Sequence, residues 1–159
     1  MDAESVRAFV MGLPHVVETV QWGNNLVFWA GDKTVGGKMF CVVDLDGGQK
    51  TVLSFAAGHE KFAELQETEG IIPAPYMARA YWVAMERWDV LPTSDLKPLL
   101  AAARDLVYAK LPKRTQDVLA LPPVEFRKLL AERKKLLASG AGREKKSTPA
   151  AKPKKRRSK

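Results

Sequence analysis

The chain has 159 residues, 46% of them hydrophobic, enough for one domain with a core that needs no covalent staples. A single cysteine, Cys41, excludes an internal disulfide framework and a cysteine-clustered zinc site, and it fits a reducing compartment. The formal charge of +8 belongs to the end of the chain: residues 139–159 hold nine Lys/Arg and one acid, whereas residues 1–138 hold 17 of each sign. Within those, residues 1–103 are net −5 and residues 104–138 net +5, so the high pI describes the last helices and tail more than the main body. No N-terminal basic region leads into an apolar run, and no apolar stretch approaches the ~20 residues needed to cross a bilayer. A cytoplasmic location without a membrane partner is expected.

In chain order, residues 2–13 predict a helix. Asp2 can cap it, Glu4 suits its first turn, and Val6, Phe9, Val10 and Leu13 form an i, i+3, i+4, i+7 stripe. Gly12 and Pro14 close it. Four short strands follow, at 17–22, 26–30, 38–44 and 51–56. Gly23-Asn24-Asn25, a glycine-bearing connection at 31–37, and Asp46-Gly47-Gly48 join them into an antiparallel meander. Residues 59–69 predict a short helix with Phe62 and Leu65 inward and Gly70 as its stop, and residues 71–75, with two prolines, a loop.

The next stretch, PYMARAYWVAMERW at 75–88, packs four of the thirteen aromatics beside Arg79 and Arg87. Read as a strand over 80–86, it puts Tyr81, Val83 and Met85 on one face and Trp82, Ala84 and Glu86 on the other. It is either the central strand of a core or a place where bases stack. A sheet covered on one side only would leave Trp82 at the surface or under a loop. Trp22, Trp29, Trp82 and Trp88 are therefore read as core first and as a stacking platform second. A helix capped by Asp95 carries Leu99, Leu100, Ala103, Leu106 and Val107 on one face and ends at Pro112; with Asp95 as cap, Pro98 is its third helical residue, where a missing N–H costs nothing. Pro122-Pro123 opens a last helix at 124–138, with Phe126, Leu129, Leu130, Leu137 and the stem of Arg133 on one face. From Ser139 onward no large apolar residue occurs, and that segment is expected to be disordered.

Few patterns point to chemistry. The run from Gly31 to Lys38 has a phosphate-loop outline, but Gly37 stands where Lys belongs and Met39 where Ser/Thr would follow the Lys, and the run joins two strands. Cys41, inside Phe40-Cys41-Val42-Val43, reads as a small buried residue. His15 and His59 are 44 residues apart and belong to no ligand spacing. Neither G-x-S-x-G nor G-x-G-x-x-G occurs, and nothing marks Glu18 and Glu86 as an acid and base. No enzyme activity, metal or cofactor is expected.

The order helix, four-strand meander, helix, strand, helix resembles the MmcQ/YjbR family over about residues 1–113. The residues that carry the likeness are Leu13-Pro14, Glu18…Trp22-Gly23, Phe28…Lys38-Met39-Phe40, Tyr76…Arg79…Trp82-Val83 and Leu111-Pro112-Lys113. The resemblance implies an α+β fold of the CyaY type, an antiparallel sheet of about five strands packed by helices on one face. It also implies a double-wing arrangement suited to DNA. The wings would be the connections at 31–37 and 44–50, with Lys33, Lys38 and Lys50 able to meet phosphate, while Asp32, Asp44 and Asp46 in the same loops would repel it.

The domain plan is thus a family domain at 1–113, an added helix at 114–138 and a Lys/Arg-rich tail at 139–159. The expected function is binding of DNA, or alternatively RNA, with little or no sequence preference, by a cytoplasmic, nucleoid-associated monomer. Affinity would come mainly from Lys152, Lys154, Lys155, Arg156 and Arg157 in the tail, with Lys33, Lys38, Lys50, Arg79, Arg87, Lys113 and Arg114 as the docking surface. The alternative is a protein- or small-ligand-binding module whose tail only aids solubility.

Overall fold

Helix α1 (Ala3–Val10) begins where the Asp2 side chain accepts a 2.9 Å hydrogen bond from the Ser5 amide, and it buries Val6 and Val10 completely. The computed structural model describes residues 1–47 and 50–139 and divides at Leu119, with Ala120 opening a second unit. In the first unit, β1 (Val16–Gln21), β2 (Asn25–Ala30), β3 (Lys38–Asp44) and β4 (Leu53–Ala56) form the meander. Helix α2 (His59–Leu65), β5 (Ile71–Pro73), β6 (Trp82–Met85), α3 (Thr93–Ala109) and α4 (Lys113–Leu119) complete it. The six strands form one antiparallel sheet in the order β1-β2-β3-β4-β6-β5.

Register fixes which side chains share a face. Phe28, Cys41, Phe55 and Val83 stand opposite one another across four strands, and all four are fully buried. Two residues along, Val43, Leu53 and Met85 form a second row on the same face, also buried. Helix α3 covers this face with Leu96, Leu100 and Ala103, and α1 adds Val6 and Val10. The other face carries Trp29, Val42, Ser54, Trp82 and Ala84.

Four departures from the sequence expectation have local causes. Residues 71–73, expected as loop, pair with β6 as a sixth strand of the expected antiparallel sheet. Pro73 is tolerated there because β5 is an edge strand and Pro73 its last residue. The strand expected at 80–86 is only Trp82–Met85, since residues 78–80 form a 3₁₀ turn and Tyr81 takes a left-handed backbone, φ +63°. Its ring instead packs edge-on against His59 and Phe62, at 5.0 and 5.5 Å between centroids. Helix α3 starts at Thr93, which makes Pro98 its sixth residue and deprives the carbonyl of Ser94, an exposed residue, of its i+4 N–H donor.

The fourth departure is α4, which buries Thr115 and Leu119 against the 31–37 connection. A Cβ at Gly36 would lie 2.5 Å from Thr115 Oγ1, and one at Gly31 2.8 Å from Leu119. Both glycines have positive φ, +96° and +88°. This connection is a packed turn around a 3₁₀ segment, Lys33–Val35, with Val35 buried, so it does not stand free as a wing. In the second unit, α5 (Pro123–Ala138) opens on Pro122-Pro123 as expected and has no buried residue.

Candidate functional site

The face of the sheet away from α1 carries the candidate site. The backbone of residues 74–77 folds back over it, with Ala74 N–H donating to the Trp82 carbonyl (3.0 Å) and Trp82 N–H to the Met77 carbonyl (3.3 Å). Trp82 is thereby buried, 4% exposed, and becomes the floor of a groove of about 380 Å³. Met39, Val42 and Met77 give the groove its apolar wall, and Asn25, Asp44 and Ser54 its polar positions.

Two aromatics stand at its margin and are not absorbed into any core. Trp22 is 63% exposed and Tyr76 fully exposed. Both have left-handed backbones, φ +49° and +66°. That conformation costs a bulky residue about 1–2 kcal/mol. Trp22 is held in its turn by Asn25 Nδ2, which donates to the Trp22 carbonyl at 2.8 Å.

A second hollow, about 510 Å³, continues from the first and shares Trp22, Met39, Met77 and Trp82 with it. It adds Trp29, Lys38 and Lys110. Trp29 is fixed by its indole N–H, which donates to Thr19 Oγ1 at 2.9 Å, and Lys33 Nζ lies 5.3 Å from its ring centroid. The lining of this second hollow includes no acidic residue, whereas Asp44 lines the first. In the hairpin beyond it, Asp46 N–H donates to Asp44 Oδ1 (3.0 Å) and Asn24 Nδ2 to Asp46 Oδ1 (2.9 Å). One end of the groove is thus basic and the other carries a carboxylate.

The sequence-derived candidates divide around this groove. Lys33 and Lys38 are exposed at its basic end, joined by Lys110, which the sequence did not single out. Lys50 is exposed next to Thr51, a lining residue, and Arg79 is exposed beside the lining residue Ala80. Arg87 lies past the end of β6 and pairs with Asp89 at 3.1 Å. Lys113 and Arg114 are exposed at the start of α4, with Lys113 paired to Asp117 at 3.1 Å. Lys152, Lys154, Lys155, Arg156 and Arg157 lie outside the described residues, as does the disorder expected from Ser139 onward except at Ser139 itself, which ends α5 as its C-cap. Trp22 and Tyr76 escaped the sequence reading as a pair. The available signal was a tryptophan at the end of the first predicted strand, directly before the Gly23-Asn24-Asn25 turn, and a tyrosine directly after Pro75.

The residues weighed for chemistry serve the fold. Cys41 is fully buried, which pushes its thiol far above the ordinary range. Glu18 accepts two 2.7 Å hydrogen bonds from the Arg7 guanidinium, which hold its carboxyl below its usual value. His15 stacks on Tyr108 at 5.9 Å; partial burial, with the nearby Arg104 charge, lowers its pKa. Arg104 is itself buried, lies 4.5 Å over Tyr108, and donates from Nε to the Pro14 carbonyl at 3.0 Å. Among the described residues no cluster of three His, Cys, Asp or Glu could hold a metal ion, and no helix is long and apolar enough to cross a membrane.

An open antiparallel sheet with helices packed on one face and a tryptophan-lined groove on the other defines an α+β architecture. The YjbR family matches residues 11–106, and the chain belongs to that family. It is similar to the crystal structure of protein DR2400 from Deinococcus radiodurans, which carries a DUF419 domain. The two are 26% identical, with a TM-score of 0.65 over 76% of this chain and 89% of that one. No curated protein matches the chain.

Proposed function

We propose that this YjbR-family protein binds nucleic acid, DNA foremost and RNA as the alternative, with little sequence preference and without catalysing a reaction. The observation that carries this reading is the charge layout. The last 21 residues hold nine Lys/Arg against one acid. A flexible or a fixed polycation alike releases condensed counterions from a phosphate backbone, which gives affinity that is sequence-blind and falls steeply with salt. Lys33, Lys38 and Lys110 on the sheet side support a second point of contact.

The test is a titration of labelled duplex and single-stranded DNA at ~50 to ~200 mM salt. It compares the full chain with a variant in which Lys152, Lys154, Lys155, Arg156 and Arg157 are all glutamine. Each duplex phosphate contact removed flattens the log–log salt slope by about 0.9, so five should flatten it by about 4.5. A full chain that binds neither DNA at ~50 mM salt would overturn the reading. A variant that binds as tightly as the parent would move the source of affinity away from the tail.

A second reading, a small-ligand or peptide module with a solubilising tail, is favoured by the groove itself. Its volume of about 380 Å³ and mostly apolar lining are those of a ligand site. In that case tryptophan fluorescence would respond to a small ligand identically in the parent and the tail variant.

A further inference from the structure

We infer that the groove edged by Trp22 and Tyr76 is a stacking seat for an unpaired base of a single nucleic-acid strand, with the adjoining phosphates laid toward Lys33, Lys38 and Lys110. The inference rests on the nucleic-acid reading and deepens it: charge alone does not distinguish duplex from single strand, but an aromatic groove does. Bases in a duplex are already stacked and offer only their edges, whereas an unpaired base offers its π-faces.

Three observations converge on this occupant. The first is the exposure of Trp22 and Tyr76 in left-handed backbones at the margin of one groove, with Trp82 as its floor and Trp29 beyond. Two large rings are thus presented to solvent at a conformational cost that no packing recovers. The second is polarity along the groove. The end toward Trp29 has Lys38 and Lys110 in its lining, Lys33 over the Trp29 ring and no acid in the lining, which suits phosphate. The other end has Asn25, Asp44 and Ser54, which suit the amino and imino edge of a base and repel phosphate. The third concerns the alternative guest, a peptide strand. Strands β3, β4 and β6 are each paired on both sides, so the groove offers no free ladder of backbone groups for a peptide to extend. What it offers is ring faces and side-chain polar atoms, which match a base.

The experiment uses the full chain and its Trp22→Ala, Tyr76→Ala and Trp22→Phe variants. Trp22 and Tyr76 are exposed, so the substitutions leave the core intact. The probes are a labelled 12-nucleotide DNA strand of mixed sequence, the same strand as RNA, its DNA duplex, and a nucleoside monophosphate. Loss of one base–aromatic stack weakens binding by about 5- to 150-fold. The expected result is a loss of that size for both single strands with Trp22→Ala, a comparable or smaller loss with Tyr76→Ala, and near-parental affinity with Trp22→Phe. Duplex affinity should stay within about twofold throughout, because it is carried by phosphate contacts. Single-strand affinity unchanged in both alanine variants overturns the inference while leaving general nucleic-acid binding intact. So does an equal loss for strand and duplex. A monophosphate bound as tightly as the 12-nucleotide strand overturns it in favour of a small-molecule site. Failure of every nucleic acid to bind the parent chain overturns the underlying reading as well.

Discussion

The two faces of the one sheet obey the same alternation and use it for opposite ends. On the helix-covered face, Phe28, Cys41, Phe55, Val83 and Met85 are fully buried in a row-on-row core. On the other face the aromatics are graded: Trp82 is buried, Trp29 half-buried, Trp22 largely exposed and Tyr76 fully exposed. The first face accounts for stability. The second shares in it through Trp82, and leaves Trp22 and Tyr76 outside the core. Aromatic count alone therefore says little about core size in this chain, because register decides which ring does which job.

That contrast can be broken from either side. The largest effect is expected from Phe55→Ala, a fully buried ring in the middle of the covered face: about 3–5 kcal/mol off the unfolding free energy by urea denaturation. A loss below ~1 kcal/mol would mean that the core is not centred there. Next comes Gly37→Ala at the edge of the open face, whose new Cβ would sit 1.9 Å from the Gly31 carbonyl oxygen. The backbone must move, at about 3 kcal/mol, and the thermal midpoint should drop accordingly. Tyr76→Asn should act in the opposite direction. Asparagine tolerates the left-handed backbone, so removing a fully exposed tyrosine there should raise stability by about 1 kcal/mol; a fall would show that the ring packs. Trp22→Ala should shift stability by no more than about 0.5 kcal/mol, in contrast to its expected effect on single-strand binding.

The smallest effect concerns the rim of the covered face, where Arg7 bonds Glu18. The pair depresses the Glu18 pKa below its ordinary 4.5, so its contribution is complete above that pH and fades as pH falls through the lower folded value. Glu18→Gln should therefore be less stable than the parent at pH 7, and the two denaturation curves should converge in acid. A gap that persists at low pH would assign the difference to packing.

The elements set by local rules were readable in advance. Helix α1 has its Asp2 cap and its Val6 and Val10 stripe, and β3 falls on the predicted residues, 38–44, because the connections around it fix its ends. What escaped depended on distant partners. β5 exists only because Ile71 meets Met85 across the sheet, and its prolines argued for loop. α4 shows just Thr115 and Leu119 inward, too few positions for a helical period, and its packing partner is a connection some 80 residues earlier. Trp82 could be placed on the face opposite Val83 by alternation, but its burial beside the 74–77 segment has no local signal. The groove joins side chains from the turn at Trp22, from β3, from the 74–77 segment and from the end of α3, and no periodicity in the chain links those four.

Cys41, finally, gives the protein an experimental convenience. Its sulfur is enclosed on the covered face, where burial pushes its thiol pKa up, and a buried thiol of this kind is inert to thiol reagents in the native state. A cysteine introduced at Ala80, an exposed and uncharged residue of the second hollow's lining, would then be the sole site of maleimide attachment. A dye placed there reports directly on occupancy of the neighbouring hollow, with no need to delete the native thiol and disturb the row of Phe28, Phe55 and Val83 around it.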